Sequence, residues 1–252
     1  MKNYHTHTYR CHHAMGKEED YIKEAIKGGY SELGFSDHSP WHYDSDFVPF
    51  MRMKEDELDD YIDTLQKLRE KYKNQISIKI GLEVEYFEKY IPWLKKMLKE
   101  KNIDYIILGN HYDGSDETGI YYGSPIHYHQ FINYINQCIK AIDSSLFSYI
   151  AHPDLAYFDE NDPRYTKEYT RLCEHAKAHD IPLEFNLLGF KSHRHYPNPV
   201  FWKIVSKVGN KVIIGTDAHE PYRLNDQKTY NEAMRYLKKL NIEVIEDIKF
   251  LD

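Results

Sequence analysis

Short apolar runs alternate with amphipathic helical stretches along this chain, and most of the runs stop at a histidine or a carboxylate. Ser31-Glu32-Leu33-Gly34-Phe35-Ser36 stops at Asp37-His38. The alternating stretch from Ile76 to Leu82 delivers Glu83, with Glu85 two residues on, and Tyr105-Ile106-Ile107-Leu108 stops at Gly109-Asn110-His111. Leu146 to Ala151 is closed by His152-Pro153-Asp154, Pro182 to Phe185 by Asn186, and Val212-Ile213-Ile214-Gly215 by Thr216-Asp217-Ala218-His219. Brief apolar runs bounded by polar residues are the pattern of strands buried on both faces. Between them, helical spacing predicts helices over Lys17–Lys27, Lys54–Tyr72, Ile91–Lys101, Pro125–Ile142, Tyr165–His179, Pro199–Val208 and Asp226–Leu240. Seven strand-then-helix units follow, which predicts an α/β fold with parallel strands. In α/β barrels the loops after the strands converge on one site. That convergence gathers His5, His7, His38, Glu83, His111, His152, Asp217 and His219 into one mouth.

The first unit opens with Tyr4-His5-Thr6-His7 and continues to Cys11-His12-His13. Residues two apart in a strand share a face, so His5 and His7 can present both imidazoles to one point, as a metal requires. With 252 residues and no dividing linker, a single domain spanning 1–252 is expected. A net charge of -7 argues against a general nucleic-acid surface. Cys11, Cys138 and Cys173 form no Cys-x-x-Cys pair, so neither a disulfide framework nor a cysteine-based zinc site is expected. No leader pattern or long apolar run is present, and a soluble cytoplasmic protein is expected.

His-Thr-His-Thr at the start, Ser36-Asp37-His38-Ser39, Gly81-Leu82-Glu83-Val84-Glu85, His111, Ala151-His152-Pro153-Asp154-Leu155 and Thr216-Asp217-Ala218-His219 together resemble the PHP (polymerase and histidinol phosphatase) family, in its stand-alone histidinol-phosphatase branch. The resemblance implies a distorted (β/α)7 barrel holding up to three divalent metal ions. Carried onto this sequence, it implies that His5, His7, Glu83 and Asp217 hold one ion and His13, His38 and His219 a second. Glu83, as a bridge, would hold the third with His111 and His152. His12 competes with His13, which is preferred because the family places this histidine six residues after the second of the opening pair. Asn110 and Phe190-Lys191-Ser192 depart from the family pattern, where an arginine near Lys191 would be expected.

The implied reaction is hydrolysis of a phosphate monoester, with L-histidinol phosphate the expected substrate in histidine biosynthesis. Such a dianion repels hydroxide, and clustered cations neutralise it while acidifying a bound water. A bridging hydroxide would attack in line, with Glu83 bridging and Asp217 handling a proton. Zn, Mn and Fe all suit imidazole and carboxylate donors. No glycine-rich phosphate loop is present, so basic residues in the later loops, Arg164, Lys191, Arg194 and Arg223, are candidates for phosphate binding, the first choices being Arg194 and Arg164. The alternatives are a phosphoesterase of the same family acting on nucleotides or nucleic-acid ends, and a non-catalytic metal-binding module. An amidohydrolase would need a bridging lysine where Glu83 stands. The oligomeric state is open.

Overall fold

A computed structural model describes residues 1–251. β1 (Lys2–Asn3), β2 (Glu32–Phe35), β3 (Ser77–Val84) and β4 (Tyr105–Leu108) pair in parallel in that order, and β5 (Leu183–Asn186), β6 (Val212–Gly215) and β7 (Val244–Ile245) form a second parallel sheet. Single bridges join the two. Ile150 pairs with Leu108 on one side and Leu183 on the other, while Thr6 pairs with Ala218. A ring of seven segments closes in this way, the distorted (β/α)7 barrel. β7 is an addition to the sequence expectation and pairs only with the start of β6.

The expected strand over Leu146–Ala151 is reduced to that one bridging residue. Its backbone nonetheless hydrogen-bonds to the chain on both sides. Leu108 donates to the carbonyl of Tyr149, Ala151 to that of Leu108, Ile150 to that of Pro182, and Glu184 to that of Ile150. Left-handed backbone at Ser145 (φ 56°) and at His152 (φ 29°) brackets the segment and leaves little room for extended chain.

The helices are α1 (Glu18–Lys27), α2 (Leu58–Tyr72), α3 (Ile91–Glu100), α4 (Tyr128–Asp143), α5 (Pro163–Ala178), α6 (Leu187–Lys191), α7 (Pro199–Val208) and α8 (Gln227–Lys239). Local chemistry sets several boundaries. At α7, Asn198 caps the N-terminus, Pro199 occupies the first turn and Gly209 (φ 79°) ends it. α4 starts later than the sequence pattern suggests because Pro125 is drawn into a bridge with Tyr157. α6, unforeseen in the sequence, is nucleated by Asn186, whose Oδ1 accepts from the Gly189 N–H at 2.9 Å.

Strand periodicity divides the interior in two. Leu33, Phe35, Ile78, Ile80, Leu82, Ile106, Leu108, Leu183, Phe185, Val212 and Ile214 pack outward against the helices. Their alternates Tyr105, Ile107, Tyr149, Ala151 and Ile213 form a smaller cluster with Tyr4 inside the ring. Tyr105 fills the centre, donating to the carbonyls of Tyr4 (2.8 Å) and Phe35 (3.0 Å). Gly81 makes space for it, since an added Cβ would lie 2.4 Å from its ring. The same inward parity, continued toward the strand ends, passes through Glu83, Glu85, Gly109, Glu184, Asn186, Gly215 and Asp217. An apolar plug thus floors a polar chamber.

Candidate metal centre

Seven of the nine ligand candidates are buried around this chamber, His5, His7, His38, Glu83, His111, His152 and Asp217, and the His219 side chain is only 16% exposed. His13 closes the set from the rim. Asp37 accepts from the Thr8 N–H (2.7 Å) and hydroxyl (2.9 Å), fixing the chain just past His7. A 3-10 turn over Tyr9–Cys11 follows and ends at left-handed His12 (φ 63°). That reversal leaves His12 outside the cavity and returns His13 to it, with Nε2 2.9 Å from His219 Nε2.

The first group is the most regular. His5 Nε2 and His7 Nε2 are 3.1 Å apart. Glu83 Oε2 lies 3.4 Å from the first and 3.2 Å from the second, and Asp217 Oδ1 lies 3.5 and 3.3 Å from them. Four donors around an ion at about 2.0–2.1 Å in tetrahedral geometry would stand roughly 3.3–3.4 Å apart. The spacing therefore suits a metal. The other oxygen of Glu83 faces a second pair, His152 Nε2 at 2.9 Å and His111 Nε2 at 3.5 Å, as a bridging carboxylate would. In the remaining group, donor atoms of His7, His38 and His219 lie within 4.8 Å of one another, as do those of Cys11, His13 and His219. The ring of His7 stacks on that of His219 at 4.3 Å, and His38 Nδ1, buried with no hydrogen-bond partner, stands 3.2 Å from Glu83 Oε2. Buried polar atoms are ordinarily satisfied, so this donor set is incomplete without a cation.

Electrostatics point the same way. Burial resists charging His5, but Glu184, Asp217 and Glu83 overcome it and push its pKa up to about 10. Burial likewise opposes ionisation of Glu83 and Asp217, yet the surrounding histidines, His5 foremost, hold both carboxyls well below their ordinary range. Burial together with His7 drives His219 down to about 3. Without metal, a few protons are shared among closely spaced carboxylates and imidazoles. A cation can replace them.

Two supports were not singled out in the sequence. Glu184, on β5, faces His5 Nδ1 at 2.7 Å through Oε1, while its Oε2 accepts from the His152 backbone N–H and from Asn186 Nδ2, both at 2.9 Å. Asn186 also donates to Asp217 Oδ2 at 3.1 Å. An acid two residues from an amide in a short buried strand was the available signal. Such partners fix the tautomer and aim of ligating histidines. Glu85 does the same for His111, with Oε1 3.1 Å from Nδ1. Glycines make the carboxylates possible: a Cβ at Gly109 would lie 2.0 Å from Glu83 Oε1, and one at Gly215 1.7 Å from Glu184 Oε1.

The cavity above these groups measures about 750 Å³ and is walled by Phe50, Met51, Tyr112, Tyr121, Leu155 and Leu188, with Arg194 and Arg223 among its basic lining. The structure does not bring Arg164 or Lys191 there. Arg164 is exposed at the start of α5, forked onto Asp162 and lying over the Tyr128 ring at 4.1 Å. Lys191 faces a neighbouring cleft, 3.6 Å from Asp226. Both are consumed by local partners.

Comparison with known proteins agrees with the fold. The chain is 28% identical over 231 residues to a probable histidinol-phosphatase of Deinococcus radiodurans, covering 86% of this chain and 85% of the relative. It is 26% identical over 251 residues to a histidinol-phosphatase of Bacillus subtilis, covering 86% and 92%. Its structure is similar to that of a histidinol phosphate phosphatase from Lactococcus lactis complexed with Zn, L-histidinol and phosphate, with a TM-score of 0.76 at 19% identity, covering 100% of this chain and 98% of that one. Residues 3–187 match the PHP domain. By fold, by chamber and by sequence, this chain belongs to the PHP domain family.

Proposed function

We propose that this protein is a metal-dependent phosphomonoesterase that hydrolyses L-histidinol phosphate to L-histidinol and phosphate. The observation that carries the reading is the four-donor group of His5, His7, Glu83 and Asp217 at metal-ligand spacing, at the base of a cavity large enough for a small phosphate ester. The substrate follows from the names of the relatives, which align with this chain over most of their length. We assign His5, His7, Glu83 and Asp217 to one ion, His13, His38 and His219 to a second, and Glu83, His111 and His152 to a third, with Zn, Mn or Fe as candidates. Bound divalent ions would neutralise phosphoryl oxygens and lower the pKa of water.

The residues of the chain supply the rest. Arg194 and Arg223 stand at the wall where they can orient phosphate, and Arg194 Nη1 donates to the Tyr196 hydroxyl at 2.7 Å. Phe50, Met51, Tyr112 and Tyr121 offer an apolar wall to the organic portion. Asp217, with Oδ2 anchored by Asn186, is assigned the proton that leaves the attacking water; the leaving alkoxide takes up a proton as the ester P–O bond breaks. An Asp217→Asn variant that turned over normally with metals bound would remove that assignment. We further take residues 1–252 as one barrel domain, supported by the Thr6–Ala218 closure, and place the enzyme in the cytoplasm with its biosynthetic role. Among the described residues no helix is long and apolar enough to cross a membrane.

The deciding experiment is phosphate release, with Mn or Zn, from histidinol phosphate, a nucleotide and an aryl phosphate. Preference for histidinol phosphate is expected. Activity on the others alone would discard the biosynthetic role, and inactivity on all three with metals bound would favour a binding module.

A further inference from the structure

The segment between β2 and α2 forms part of the cavity rim, where Phe50 is 76% exposed, yet Arg52 two residues along is fully buried. A guanidinium is always charged and is buried only where its donors are matched. Here Nη2 donates to Glu85 Oε1 at 2.7 Å, Nη1 to Glu85 Oε2 at 2.9 Å and to the Ser39 carbonyl at 2.8 Å, and Nε to Asp116 Oδ2 at 2.9 Å. Each carboxylate has a further task. Glu85 Oε1 is also the oxygen facing His111 Nδ1, and Glu85 Oε2 accepts from Trp41 Nε1 at 3.3 Å. Asp116 accepts from the Tyr43 hydroxyl at 2.9 Å, so the guanidinium joins three separate stretches of rim and barrel. Met51, beside it, accepts from the Tyr112 hydroxyl at 3.2 Å.

A bidentate arginine fixes the plane of a carboxylate as well as its charge. The plane of Glu85 in turn sets the aim of His111. We propose that Arg52 is a positioning residue that presents His111 to the third metal position through Glu85 and ties the rim segment of residues 44–53 to that same position. The inference rests on assigning His111 to a metal. Because the coupling is reciprocal, an ion held by His111 orders the rim, and an ordered rim tightens the ion.

The test counts zinc ions per chain after loading and desalting, and follows chymotrypsin cleavage at Phe47 and Phe50 with and without zinc. Wild type is expected to hold three ions and to be protected at the rim by zinc. His111→Ala loses one ion. Arg52→Gln is expected to bind that same ion about 10–100-fold more weakly, the usual effect of losing the support of a ligating histidine, and to lose zinc protection of the rim. Arg52→Lys, charged but unable to fork, restores part of both and serves if Arg52→Gln fails to fold. Folded variants at Arg52 that keep the wild-type count, affinity and zinc protection overturn the proposal. Equal counts in wild type and His111→Ala overturn the third-site assignment and this inference with it, while phosphate release still tests the reaction independently.

Discussion

His5 Nδ1 and Glu184 Oε1 lie 2.7 Å apart with neither side chain exposed to solvent. The contact keeps a proton on His5 Nδ1, so that the neutral imidazole turns its Nε2 lone pair toward His7, Glu83 and Asp217. Glu184→Gln retains an acceptor but loses the charge, and is expected to weaken the ion assigned to His5 by about 10–100-fold. Chelator competition measures this. Unchanged affinity in a folded variant would show that the aim of His5 is set elsewhere.

Metal affinity should rise with pH. His5 is raised to about 10 by Glu184, Asp217 and Glu83 against the opposing effect of burial, so an ion must displace its proton at neutral pH. The affinity gain is about tenfold per pH unit for each proton released. The sign for stability follows from the same shift: in metal-free protein the contribution of His5 is complete below its ordinary value near 6.5 and is lost as pH rises through about 10. Melting temperatures of chelator-treated protein should therefore fall from pH 7 to 10, and those of metal-loaded protein should fall less. Parallel curves would contradict the proton exchange.

Arg194 and Arg164 should separate cleanly. Arg194 lines the cavity, whereas Arg164 is forked onto Asp162 away from it. Losing a hydrogen bond to a charged phosphate costs about 1.5–3 kcal/mol, so Arg194→Ala is expected to lower kcat/KM by roughly 10–100-fold. Arg164→Ala should leave kcat/KM near wild type. Steady-state kinetics on the phosphate ester decides, and equal effects would reverse the assignment.

Asp154 is fully buried, and its Oδ1 has no hydrogen-bond partner while Oδ2 accepts from the Asn198 N–H and Trp202 Nε1. Burial raises its carboxyl to about 7 against those opposing hydrogen bonds. An acid raised on folding is favourable at low pH, and the stability it confers declines as pH climbs from about 4 to 7. Asp154→Asn keeps an acceptor without the charge and is expected to stabilise the protein at pH 8 by up to roughly 4 kcal/mol, with little gain at pH 4. Thermal melts across that range test it; a uniform loss would mean that the ionised carboxylate is needed.

Much of this was legible because the barrel uses one periodicity throughout. Buried parallel strands are written as apolar runs, and residues that end them must meet at one mouth, so the sequence alone locates Glu83, His111, His152 and Asp217. Ile150 was less legible, since a strand reduced to one bridging residue looks the same in sequence as a full strand. Glu184 was hidden because its role depends on the strand beside it, not on its own neighbours. Arg164 and Lys191 were misplaced because proximity in sequence to a strand end says nothing of a closer partner such as Asp162 or Asp226.

Gly109 and Gly215 extend the definition of the centre beyond its donors. At each, the neighbouring strand surrenders a side chain so that a carboxylate can lie against the wall. Anyone grafting this chamber onto another barrel would have to transplant vacancies as well as ligands. The same nine histidines and carboxylates set among alanines would have nowhere to put Glu83.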